Sequence, residues 1–300
     1  MLHEKDSIDV LTLTRGAARC DLIPALGGSI AAWSAGGQDM LRPASAASIA
    51  ARDPFGMGAF PLVPYSNRIG NGSFDWEGHR HSLRLNFHPE PHAIHGVGFE
   101  RPWEVRSSTA NLATLTLQHR PGASWPFAFE AQQRITLAER MLTVEMSALN
   151  LETHPVPLAF GYHPYFPRDG AWLKFRAESV WLVGDDGLPS LRVNPFGKFD
   201  YSSGMAVSRG DIDHCFTGWG GEAEVSWPGR GLRIRIEASN SLRCAVACIR
   251  SDLDGFCFEP VPHLNDALSR PDRAYAMPVI APGARFDATI RLTALDGAPA

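Results

Sequence analysis

The chain has 300 residues, 44% hydrophobic and 20% charged, with a formal net charge of −4. It exceeds the usual domain length but fits one large all-β domain over 1–300, and its composition supports a substantial packed core. No Lys/Arg run or basic patch stands out, so no nucleic acid is expected as partner.

Along the chain, the start MLHEKDSIDV carries charges where a signal peptide needs an apolar run. No apolar stretch of about 18 residues follows, so no membrane span is expected. Period-two alternation recurs in IDVLTLT (8–14), ATLTLQH (113–119), RITLAERMLTVEMSAL (134–149), LRIRIEA (232–238) and ATIRLTAL (288–295). Side chains on a strand point alternately to opposite faces, so these stretches predict half-buried antiparallel strands. The Ala-Glu-Arg at 138–140 predicts a hairpin turn. The stretch 184–211, rich in Gly, Pro, Asp and Ser, reads as a long loop region, and LNDALSR (264–270) as a short helix or turn. The expected architecture is all-β, with two packed antiparallel sheets. Five Cys without C-x-x-C spacing read as free thiols in a reducing cytoplasm.

Four stretches set reactive groups among apolar ones. In AFPLVPYSNRIGNGSF (59–74), Asn67 and Arg68 follow a mostly apolar run. The guanidinium there is either a structural partner of a carboxylate or a fork for hydroxyls. HPEPHAIHGVGFERPW (88–103) holds three His, but Pro89 and Pro91 keep His88 and His92 off a common helix face. His79 and His81 form an H-x-H without the Glu that a metal-binding jelly roll would add, so no metal is expected. His95 differs, because Gly96 beside it permits close approach of backbone or ligand. In FGYHPYF (160–166), His163 is either a satisfied core residue or the polar point of a pocket wall. In DGFCFEPVPHLNDA (254–267), Glu259 ends an apolar run, where desolvation would raise its pKa toward that of a general base; the alternative is a structural pair with Arg68.

No G-x-S-x-G, Walker loop or G-x-G-x-x-G is present. What remains is proton transfer and hydrogen bonding within aromatic walls, a combination suited to sugars. Several stretches then resemble the aldose 1-epimerase (galactose mutarotase) family. PYSNRIGNGSF, IHGVGFERPW with Trp103, GYHPYF, IDHCF (212–216), CFEPVPHLNDA and IAPGARFDATIRL (280–292) follow that family's order over 59–292. HPYFPR stands where better-known members carry His-Ser-Tyr-Phe-Asn-Leu, so the chain is more similar to the less characterised bacterial members.

The resemblance implies a large antiparallel β-sandwich of the galactose mutarotase type that interconverts the α and β anomers of an aldose on a concave face, without metal or organic cofactor. It implies Glu259 as base, His163 as acid and His95 as a donor near the ring oxygen. Arg68, Asn67 and Asp213 would bind hydroxyls, and Tyr165 would line the pocket; Asp185, Asp186 and Asp211 are alternatives to Asp213. A related branch takes hexose 6-phosphates, for which Arg42, Arg101 and Arg250 are candidate contacts. A non-catalytic sugar-binding module is a second alternative. A hydrolase fits less well, since it normally needs two carboxylates flanking the bond.

Overall fold

The computed structural model describes residues 8–209, 211–270 and 275–296. Residues 1–7 of the charged start lie outside them. Two antiparallel sheets, of eleven and nine strands, share one hydrophobic core. The larger sheet runs from Leu11–Arg15 through Ala18–Ile23, Ser29–Ala35, Ala59–Leu62, Gly161–Pro167, Gly255–Val261, Cys244–Ile249, Ile212–Thr217 and Ser179–Val183 to Pro189–Val193. Gln38–Asp39 pairs off Ser29–Ala35. The smaller sheet has Phe129–Leu137, Met141–Asn150, Arg285–Asp296 and Leu232–Ala238 at its centre.

The alternating stretches lie mainly in the smaller sheet, whose strands bury one face and wet the other. Met141–Asn150 alternates intermediate and buried positions along most of its length. Its hairpin with Phe129–Leu137 closes at Ala138, whose N–H donates to the Met141 carbonyl at 2.8 Å. The centre of the larger sheet reads differently. Gly255–Val261 is buried at every position, as strands covered on both faces are. Its even residues Phe256 and Phe258 enter the core between the sheets. Its odd residues Cys257 and Val261 join a second cluster with Phe60, Tyr165, Trp181 and Cys215 on the opposite face. Phe55, Phe99, Leu264 and Tyr275 pack on that second cluster.

Two local expectations need correction. The predicted first strand begins at Leu11, not at residue 8. The stretch 184–211 is not one loop, because it holds strands Pro189–Val193 and Met205–Ala206 and two short 3-10 turns. Pro189–Val193 is an edge strand, mostly exposed and opened by a Pro, so it shows no apolar alternation. The short helix or turn expected within 264–270 is the 3-10 turn Ala267–Ser269.

Phe258 is fully buried between the sheets. Phe258→Ala is therefore expected to cost about 3–5 kcal/mol of stability, as large-to-small core changes do. Urea unfolding of the two proteins measures it.

Candidate active site

Strand register lays the second face out in rows. One row holds Phe60 beside His163, then Val246 beside Glu259, with Cys215 and Trp181 beyond. The next row, two residues along, holds Tyr165, Cys257, Cys248 and Asp213. His163 and Glu259 come from neighbouring strands, and His163 Nε2 lies 3.2 Å from Glu259 Oε1. The Phe60 ring stacks on His163 at 4.4 Å, and Tyr165 lies at 4.7 Å from it. His95 meets His163 edge-on, with ring centroids 5.2 Å apart.

The loops above this floor are held by short polar contacts. The Asn67 N–H donates to His95 Nδ1 at 3.1 Å, and the His95 N–H returns a bond to the Asn67 carbonyl at 2.9 Å. Because Nδ1 accepts, the neutral ring carries its proton on Nε2. Both residues adopt the left-handed region, with φ of 58° and 59°. Such strain persists where the surroundings over-determine it, as this reciprocal clasp does. Gly96 has φ +75°, and a Cβ there would lie 2.3 Å from the Val63 carbonyl oxygen. Its role is close backbone packing that seats His95.

Arg68 Nε donates to Glu90 at 2.6 Å, and its Nη1 lies 3.7 Å from Asp213. Asn67 Oδ1 accepts from the Arg68 N–H at 3.0 Å. The two structural alternatives from the sequence are thus separated: Arg68 pairs with Glu90 and Asp213, while Glu259 pairs with His163. Among the alternatives to Asp213, Asp186 caps the Leu188 N–H and gives its carbonyl to His92. Glu90 and Phe60 were not singled out in the sequence. Glu90 lies between two prolines and Phe60 in a plain apolar run, so neither has a periodic signal.

Arg42 is not at the sugar-like floor but braces it from behind Tyr165, 4.1 Å from the ring centroid. It donates to Asp254 at 2.8 Å and to the carbonyls of Phe55 and Met57 at 2.7 and 2.9 Å. Arg250 forms a two-bond pair with Asp252. Trp103 is a buried brace that donates to the Gly98 carbonyl at 2.9 Å. Cavities of about 540 and 580 Å³ lie elsewhere, the second bordered by Phe55 and Phe99 on the flank of this floor.

Burial sets the protonation. It pushes the Glu259 carboxyl well above the usual carboxylate range, with Cys248 and Asp213 adding to the effect. It pushes the His163 imidazole down to about 3. It also holds His95 well below the usual histidine value, helped by His163 and Arg68. Both members of the Glu259–His163 contact therefore prefer their neutral forms. Glu259 is 2% exposed and His163 5%. Even so, Glu259 Oε2 and His163 Nδ1 have no hydrogen-bond partner among the described residues. Buried polar atoms normally have one, so these are the atoms a polar ligand would satisfy. His163, Glu259 and Cys257 also bring ligand-type atoms within 4.8 Å of one another.

His263 supports the floor from below: its Nε2 accepts from the Ser66 N–H and its Nδ1 donates to the Leu264 carbonyl. Burial lowers its pKa from 6.5 to about 4. The unfolded chain thus binds a proton that the folded one refuses, and stability falls as pH drops below 6.5. The loss from this group is expected to reach about 2 kcal/mol at a pH of about 5. His263→Gln keeps an acceptor and a donor without titrating. Denaturant midpoints at both pH values should show a smaller drop for that variant.

Similarity to known proteins extends over nearly the whole chain. The chain is 27% identical to the uncharacterized protein YphB of Escherichia coli K12 over 282 residues, covering 88% of this chain and 91% of YphB. It superimposes on the structure of a candidate aldose 1-epimerase from Escherichia coli K12 with a TM-score of 0.88 and 25% identity, covering 96% of this chain and 99% of that one. A galactose mutarotase-like protein from Clostridium acetobutylicum matches with a TM-score of 0.87 and 18% identity, covering 98% and 97%; it shows the shared fold. The aldose 1-epimerase family model matches residues 9–293. With the sandwich in place and the match running nearly end to end, the chain belongs to the aldose 1-epimerase family.

Proposed function

We propose that this protein interconverts the α and β anomers of an aldose by opening and reclosing the ring, with Glu259 and His163 as its acid–base pair. The observation that carries this reading is the 3.2 Å contact between a buried carboxyl and a buried imidazole on one sheet face. Ring opening removes one proton from the C1 hydroxyl and adds one to the ring oxygen. The net proton change is zero, which a pair holding one proton can serve.

Burial favours that proton on Glu259 when no sugar is bound. Its transfer across the contact to His163 leaves Glu259 as carboxylate. Glu259 then takes the C1 hydroxyl proton while His163 protonates the ring oxygen, and the bond from C1 to that oxygen breaks. The open aldehyde turns about C1–C2. Closure on the other face runs the same two transfers backwards, so each group is acid in one half and base in the other. His95 offers its Nε2–H as a neutral donor near the ring oxygen. Arg68, fixed by Glu90, works with Asn67 and Asp213 to hold hydroxyls, and Tyr165 lines the wall.

The engagement of Arg42 and Arg250 by carboxylates and carbonyls favours an unphosphorylated sugar over a hexose 6-phosphate. The matched acid and base disfavour a pure binding module, which needs neither. A reducing cytoplasm suits the free, adjacent thiols of this face. Among the described residues no helix is long and apolar enough to cross a membrane.

An acid or base typically contributes about 10²–10⁴-fold, or about 3–5 kcal/mol of transition-state stabilisation. Glu259→Gln should slow the mutarotation of fresh α-D-galactose or α-D-glucose by that factor in a polarimeter. Undiminished rotation kinetics in the variant would remove Glu259 as the base. Arg68→Ala should raise KM as well as lower kcat, since the guanidinium orients the sugar.

A further inference from the structure

We propose that His163, Glu259 and Cys257 form a site for a thiophilic divalent cation such as Zn²⁺, on the same floor the sugar would use. Cys257 and Glu259 are two apart on Gly255–Val261, so they share a face, and His163 meets them from the neighbouring strand. One ligand atom from each lies within 4.8 Å of the others. All three sit on hydrogen-bonded strands, which fixes their separation in advance.

The donor set is one thiol, one imidazole and one carboxylate. Sulfur and imidazole nitrogen select zinc-like ions, whereas Mg²⁺ and Ca²⁺ prefer oxygen alone. Tetrahedral zinc holds its ligands at about 2.0–2.3 Å, so small side-chain rotations must draw these atoms inward. Three protein ligands leave a fourth position for water. The Cys248 thiol lies against that of Cys257 on the neighbouring strand.

Charge also balances. Binding displaces the Cys257 thiol proton and the proton held between Glu259 and His163, and both leave to solvent. The product is a dication with a thiolate, a carboxylate and a neutral imidazole, which has no net charge. A buried site therefore gains the ion without an uncompensated charge. The ion also gives Glu259 Oε2, which has no hydrogen-bond partner among the described residues, a cationic neighbour. The nearby cations Arg42 and Arg68 are themselves paired, with Asp254 and with Glu90 and Asp213.

Occupancy by sugar and by cation are mutually exclusive uses of Glu259 and His163. The inhibitory consequence rests on the proposed acid–base role of that pair; the binding itself does not. Co²⁺ serves as a visible probe, added to the metal-free purified chain. A thiolate-to-Co(II) charge-transfer band at one ion per chain is expected, displaced by Zn²⁺. Cys257→Ser should abolish the band, and Cys20→Ser, a substitution in the main core, should keep it. His163→Gln retains the thiol and should weaken Co²⁺ binding by at least about tenfold, the scale of a lost partner in a metal site. No band in the wild type, or a band that survives Cys257→Ser, overturns the proposal. If Cys257→Ser does not fold, unaltered Co²⁺ affinity in His163→Gln overturns it instead. In the wild type, Zn²⁺ should slow anomerisation competitively and a chelator should restore it. A band in a protein that anomerises no sugar would leave the cation site standing and overturn the catalytic reading.

Discussion

A buried carboxyl lies against a buried imidazole, and the rest of the site is arranged around that contact. Neither group could be buried alone in its charged form without a large desolvation cost. They lie 3.2 Å apart, and burial favours the neutral form of each. The geometry requires two neighbouring strands that are buried on both faces, so that one side of each strand packs the core and the other presents the titratable side chains. Phe256 and Phe258 do the first for Gly255–Val261, while Cys257 and Glu259 do the second.

A second constraint is backbone conformation. Asn67 and His95 stand in left-handed geometry and hold one another through two hydrogen bonds. Each such residue costs about 1–3 kcal/mol, a cost the packed surroundings must offset. The clasp fixes the tautomer of His95 and delivers Arg68 to Glu90 and Asp213. The Arg42 guanidinium serves the same end from behind, tying Asp254, the Phe55–Met57 turn and the Tyr165 ring into one support.

Legibility in the sequence followed burial. Strands that wet one face, such as Met141–Asn150, alternate and are readable. Gly255–Val261 and Cys244–Ile249 are apolar on nearly every position and have no period to read. Edge strand Pro189–Val193 is polar and Pro-opened, and it resembles a loop. In the site, Glu259 and His163 stood out because a titratable group in an apolar run is unusual, and family likeness gave them roles. Their partnership was not readable, because it depends on which strands become neighbours. Glu90 as the anchor of Arg68 and Cys257 as a neighbour of the pair were missed for the same reason. Gly96 was read as room for backbone or ligand; the close neighbour is the Val63 backbone.

The most direct test of the shared-proton account is the pH dependence of kcat/KM for anomerisation in the wild type and in Glu259→Gln. The account predicts a bell in the wild type. Activity falls in acid when the pair gains a second proton and in alkali when it loses its only one, and the residual activity of the variant lacks that bell. A wild-type rate independent of pH, or a bell that persists unchanged in Glu259→Gln, would contradict it.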